Sequence, residues 1–121
     1  LSLDYPDFLI ASSEWFAFVP AKEYFDEPGD HADELETSVM MHYHPELVNL
    51  DEAGNGDYKK FTSQMLNEKV AWIPRNWQKV SQDTGIGNPK KASAEKGKKY
   101  AEAVVAKYAL LFEELVHKEL Y

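Results

Sequence analysis

The 121 residues, 44% hydrophobic and 28% charged, have the length and composition of one compact globular domain, which excludes a disordered, collagenous or fibrous chain. Thirteen basic against 21 acidic side chains give a net charge of -8 and a pI near 4.9, which opposes nucleic acid or an anionic membrane as partner. With no cysteine, disulfides, thiolate zinc sites and thiol nucleophiles are excluded, so any metal must be held by His and carboxylates.

No apolar run approaches the ~20 residues that a membrane helix requires, and Leu1 to Pro6 lack the basic and apolar regions of a signal peptide. A soluble, cytoplasmic protein is expected. In chain order, Phe8-Leu9-Ile10-Ala11 follows Pro6 as a short apolar run suited to a buried strand. Glu14 to Val19 is aromatic and fits either a strand or one helical turn, and Pro20 and Pro28-Gly29 mark a loop. Leu35, Val39 and His42 then recur at spacings of four and three, with Asp30 or Asp33 available as cap and Glu34 and Glu36 in the first turn. This predicts a helix over about 32–43, stopped by Pro45, which can itself open a further turn. Gly54-Asn55-Gly56 reads as a loop, Lys69 to Ile73 as a strand ended by Pro74, and Gly85 to Pro89 as a turn. The clearest segment is last. Gly97, Ala101, Val104, Tyr108, Leu111 and Leu115 form one stripe that Val105 and Phe112 widen, predicting a helix over about 94–118 with Ser93 as N-cap. Gly97 costs roughly 1 kcal/mol of helix propensity, so close packing against another backbone is its expected purpose. The strand, helix, strand, helix order predicts an α/β fold.

Charge is unevenly spread: positions 1–60 hold 14 acidic and 3 basic residues, positions 61–121 hold 7 and 10, so the two parts attract. The densest acidic stretch, from Glu23 to Glu36, reads either as a solvated face or as the electronegative wall of a site. Inside it His31 stands just before the predicted helix, where α/β folds place ligands. On a helical projection His31, Glu34, Leu35 and Ser38 share one face while Glu36, Met40 and Tyr43 share another, so only one of Glu34 and Glu36 can enter a site. His42 and His44 are two apart and diverge on a helix, which argues against a shared metal. Gly85-Ile86-Gly87 lacks the third glycine of a dinucleotide fingerprint, since Lys90 stands there. Trp15, Phe16, Trp72 and Trp77 read first as core, because each ring buries a large apolar area.

The string from Asp30 to Val48, with His31, Ala32, Glu34, Glu36, Thr37, Ser38, Pro45, Glu46, Leu47 and Val48 in register, resembles the C-terminal signature of the creatininase (creatinine amidohydrolase) family, H-A-G-E-x-E-T-S followed by P-E-L-V. Thr84-Gly85-Ile86-Gly87-Asn88-Pro89 and Ala92-Ser93-Ala94-Glu95-Lys96-Gly97 are similar to that family's T-G-x-x-G-x-P and A-S-x-E-K-G. The resemblance runs from about Pro6 to Leu115, with the signature helix falling at about 31–48. It implies a three-layer α/β/α sandwich and a metal-dependent amidohydrolase, in which two divalent ions (Zn or Mn, or Fe) activate water against a small-molecule amide or cyclic amide. It also implies that His31 stabilises the carbonyl oxygen or protonates the leaving nitrogen, with Asp30 orienting it. Glu36 would be a supporting carboxylate, Thr37 and Ser38 would hold the helix start, and Trp15 would be an aromatic wall.

The family's metal-binding strings, E-x-H-G-x-H-L-P and N-G-H-G-G-N, are absent from the sequence. The resemblance therefore implies a C-terminal half without metal ligands of its own, as a start at Leu1 rather than Met also hints. It would work with the missing N-terminal half and as a homo-oligomer, with a hexamer as the family's example. Creatinine-hydrolysing members carry Trp-Asp before the signature His, whereas this sequence has Glu27-Pro28, which argues against creatinine. The glycine expected after His-Ala is Asp33, which adds a carboxylate at the helix start. Two alternatives stand beside this: a non-catalytic truncated module that self-associates through uncovered apolar surface, and, within the enzyme class, a formamide deformylase.

Overall fold

The computed structural model describes residues 3–119. Four helices appear among them: α1 (Glu34–Tyr43), α2 (Gln64–Asn67), α3 (Trp77–Val80) and α4 (Ala94–His117), with 3-10 turns at Trp15–Ala17, Ala21–Glu23, Pro45–Leu47 and Pro89–Lys91. Both predicted long helices are present, but the signature at 31–48 is not one helix: α1 covers Glu34–Tyr43, His31 precedes it, and Pro45–Leu47 form a separate 3-10 turn. Asp33, not Asp30, caps α1 by accepting from the Glu36 backbone N–H, and Ser93 caps α4 by accepting from that of Lys96. Pro45 stops α1 and opens the short turn that follows, as a proline at the first helical position allows.

Packing of α1 against α4 organises the chain. Phe25, Leu35, Tyr100 and Val104 are buried together, with Trp15, Phe18, Val19, Tyr24, Val39 and Tyr108 packed around them. Tyr100, which the predicted stripe omits, lies at the centre and is fully buried. Trp15, Tyr24 and Phe25 surround its ring at centroid distances of 6.1, 5.4 and 5.2 Å. Its hydroxyl donates to the Phe16 carbonyl at 2.8 Å, and burial pushes its pKa up. The start of α4 lies so close to α1 that a Cβ on Gly97 would collide with the Ser38 carbonyl. Ser38, itself buried, accepts from the Ser93 N–H across the same gap at 3.0 Å.

Farther along, the stripe is less covered than its periodicity implies. Leu111 and Leu115 are half-buried, and Val105 and Phe112 are about 60% exposed (59% and 60%), so they do not widen the buried face. The predicted strands are likewise not formed. Phe8, Leu9 and Ile10 are exposed, as are Val70, Trp72 and Ile73, and no strand occurs among the described residues. A strand needs a second backbone to satisfy its N–H and C=O groups, and the chain brings none beside either run. The expectation of strands in this portion of the fold is therefore corrected: the described residues form helices and loops, joined by two isolated antiparallel bridges, His31 with Ile86 and Tyr58 with Ser81. Trp72, 82% exposed, and Phe16, 48% exposed, do not join the core either.

Candidate active site

The His31 bridge brings the signature motifs together. Ile86 donates to the His31 carbonyl at 2.8 Å and accepts from the His31 N–H at 3.1 Å and the Asp30 N–H at 2.8 Å. Gly87, at φ +123°, makes this approach possible, because a Cβ there would lie 2.8 Å from Asp33 Cβ and 2.9 Å from Gly29 Cα. The Gly85 and Gly87 amides, which a phosphate-binding loop would leave free, already donate to Asp83 Oδ1 at 3.0 Å and to the Gly56 carbonyl at 3.2 Å.

Most signature residues are engaged in holding the fold. Glu34 is fully buried and accepts from the Glu27 N–H at 2.6 Å and from Lys96 Nζ at 2.5 Å. Lys96 also reaches Asp26 at 2.8 Å, and Lys91 pairs with Glu27 at 2.7 Å. Asp33, buried where the family has glycine, accepts from the Glu36 N–H at 2.9 Å and the Gly29 N–H at 2.5 Å. The two oppositely charged parts of the chain are thus joined by specific pairs. The acidic stretch does not form one electronegative wall, because four of its carboxylates, at Asp26, Glu27, Asp30 and Glu34, face Lys or Arg from beyond position 60.

These pairs set an acid limit on stability. The Lys96 ammonium, hydrogen-bonded to Asp26, and the Lys91 ammonium, hydrogen-bonded to Glu27, hold both carboxyls below their ordinary values of 3.8 and 4.5. A carboxylate depressed in the folded state contributes stability above its ordinary value and loses it as pH falls through the lower folded value. Lys91 and Lys96 are raised above 10.5, so their contribution is full below that pH and fades above it. The thermal midpoint is expected to be level near neutrality and to fall below about pH 4.5. The fall should be shallow and smaller in high salt, because the pairs are exposed. Melting curves between acid and neutral pH check this, and a midpoint that rises on acidification contradicts it.

Two of the candidate site side chains in the signature, His31 and Glu36, remain partly exposed. His31 Nδ1 lies 3.6 Å from Glu36 Oε2, both side chains being partly exposed, and Nε2 has no hydrogen-bond partner among the described residues. The helical projection groups His31 with Glu34, but His31 precedes the first helical residue, so helical spacing does not govern it. Ala32 adopts the left-handed region at φ +48° and turns the chain so that the imidazole meets Glu36 instead. That backbone costs on the order of 1 kcal/mol and is held by the Ala32 N–H donating to Glu36 Oε2 at 2.7 Å.

Among the described residues, Glu36 is the only ionisable one lining an open, largely apolar cavity of about 460 Å³, with Trp15, Thr37, Met40, Leu47, Val48 and Leu50 among its walls. Of the sequence-derived site residues, Trp15 and Glu36 line this cavity and His31 stands beside it. Asp30 does not bond the imidazole. Its carboxylate accepts from Arg75 Nη2 at 2.6 Å. Sequence reasoning missed two neighbours: Trp77, whose ring lies 5.1 Å from that of His31, and Arg75, whose guanidinium lies over Trp77 at 5.5 Å. Their signal was an aromatic and a cation two apart after Pro74, in a segment that is otherwise polar.

The creatininase profile, described as creatinine amidohydrolase, matches residues 6–112. The chain belongs to the creatininase family. No curated protein matches it. A crystal structure of a candidate creatinine amidohydrolase from Bacteroides fragilis is 59% identical, with a TM-score of 0.90 over 99% of this chain and 48% of that one. The chain thus spans about half the length of that creatininase relative and reproduces a portion of its fold. Among the described residues no group of three His, Asp or Glu side chains is gathered where it could hold a metal ion. His44 turns to Glu46 at 3.3 Å, and His42 packs on Tyr43 at 4.6 Å. No helix among the described residues is long and apolar enough to cross a membrane.

Proposed function

We propose that this chain is the substrate-side portion of a metal-dependent creatininase-family amidohydrolase that cleaves a C–N bond in an amide or cyclic amide. The observation that carries the reading is what the signature leaves over. Asp33, Glu34, Ser38, Ser93, Lys96 and Gly97 are engaged in packing, caps and ion pairs, whereas His31 and Glu36 stay partly exposed beside an apolar cavity. Glu36, held by the Ala32 N–H, faces Nδ1 and leaves Nε2 to donate to a carbonyl oxygen or to a departing nitrogen. Trp15 supplies an apolar wall for the substrate body. The two divalent ions that the family implies would supply the activated water, with ligands from outside this chain.

The test is to prepare the chain with the portion that completes the fold, load Mn, Zn or Fe, and assay amides, cyclic amides and formamides. Turnover that requires both portions and bound metal is expected, and preference for formamides would favour the deformylase reading. A complete, metal-loaded assembly that hydrolyses none of these substrates overturns the proposal. Exposed Phe8, Trp72, Phe112 and Val116 favour a second reading, a module that self-associates through apolar surface. That reading is sunk if light scattering finds the isolated chain monodisperse and monomeric. Homo-oligomeric assembly of the complete enzyme, with a hexamer as one form, belongs to the same proposal.

A further inference from the structure

The segment from Pro74 to Lys79 lies at the surface, with Pro74, Asn76, Gln78 and Lys79 exposed, Trp77 36% exposed and Arg75 half-buried. Two of its residues fold back on the signature. Trp77 packs its ring on His31 at 5.1 Å between centroids and 48° between planes. The Arg75 guanidinium stands over Trp77 at 5.5 Å and donates to Asp30 Oδ2 at 2.6 Å. Asp30 precedes His31 in sequence, so Asp30, Arg75, Trp77 and His31 form a closed circuit of one ion pair, one cation–π contact and one ring contact.

We propose that Trp77 and Arg75 are positioning residues for His31, an inference that rests on the substrate-side role given to His31 above. The His31 backbone is already fixed by its bridge to Ile86 and by the left-handed Ala32. What remains free is the rotation of the imidazole about its two side-chain torsions. Glu36 meets it at one ring nitrogen only, at 3.6 Å, which is too long for a hydrogen bond. The Trp77 ring supplies a surface against which the imidazole rests, and Arg75 holds that ring through its face while being held itself by Asp30. Asp30 thereby acts on His31 through two intermediaries. Such support has a function where a donor must meet a reacting atom, since a displacement of about 1 Å costs on the order of 100-fold in rate. The planar guanidinium both stacks and pairs, a combination that an ammonium does not reproduce.

The contact is read directly by NMR of the His side chains in the 121-residue chain, with His31 assigned by substitution. In the wild type the His31 ring protons should carry a ring-current displacement and a nuclear Overhauser contact to Glu36. Both should be lost in Trp77→Leu and retained in Trp77→Phe. Asp30→Asn and Arg75→Lys should weaken both, and Trp72→Leu, a change at a ring that is 82% exposed and makes no ring contact with His31 or Trp77, should alter neither. His31 signals unchanged in Trp77→Leu, or moved as much by Trp72→Leu, overturn the proposal. Should Trp77→Leu not fold, Asp30→Asn carries the same test, and His31 signals of wild-type position and width in that variant overturn the circuit. Failure of the hydrolase reading shows differently: the complete, metal-loaded assembly would then hydrolyse none of the amides, cyclic amides and formamides, or would lose no turnover in His31→Ala, even though the His31–Trp77 contact is present in the wild type.

Discussion

Replacing His31 by alanine in the complete, metal-loaded assembly is expected to lower kcat by roughly 10²–10⁴-fold, the range that removal of a positioned proton donor produces. Bound metal should be unchanged, because the role proposed for His31 is to meet the substrate and not to hold the metal. Stability should also be nearly unchanged, since the imidazole is partly exposed and the bridge to Ile86 is made by backbone atoms that alanine also has. Glu36→Gln is expected to have a smaller effect, as the amide oxygen can still accept from the Ala32 N–H but no longer offers a carboxylate to Nδ1. The measurements are steady-state kinetics, metal content and a melting curve on each variant. Loss of metal from His31→Ala would make His31 a ligand and overturn its substrate-side placement.

Gly97→Ala is expected to destabilise the chain by about 3 kcal/mol, at the upper end of overpacking costs, and to lower the thermal midpoint by roughly 10 °C for a domain of this size. The sign is the informative part. At an exposed helix position the same change raises stability by about 1 kcal/mol through helix propensity. Here the new Cβ would meet the Ser38 carbonyl and the Val39 nitrogen, which are backbone atoms of α1 and cannot turn aside like the end of a side chain. Relief requires α4 to move off α1. That would also lengthen the Ser93 to Ser38 hydrogen bond of 3.0 Å and loosen Tyr100 and Leu35 beneath it. Glu102→Ala, on the exposed face of the same helix, is the control and should leave the midpoint nearly unchanged. A Gly97→Ala variant that melts above the parent would show that the two helices do not approach so closely.

Both long helices were legible because their information is local. Apolar spacing, Ser93 and Asp33 as caps and Pro45 as a stop all act within one or two turns. The purpose of Gly97 was legible too, as an otherwise unexplained cost in a strong helix. The strands failed for a physical reason: Phe8 to Ala11 and Lys69 to Ile73 have strand composition, but pairing requires a neighbour that these residues do not find. At the site, the family signature pointed to His31 and Glu36, and the wider resemblance to Trp15. It did not separate them from Glu34, which has equal standing in the motif and is buried against Lys96.

By itself, the sequence determined the family, the two helices and the residues from which a site could be built, because motif order and helical periodicity are properties of neighbours along the chain. It also determined that opposite charges in the two parts would attract. Only the tertiary structure decided which carboxylate pairs with which cation, that the left-handed Ala32 turns His31 toward Glu36, and that Asp30 reaches the imidazole through Arg75 and Trp77. The ion pairs and the link from Asp30 through Arg75 to Trp77 depend on contacts between residues some 45 to 70 positions apart, whose partners no local spacing specifies.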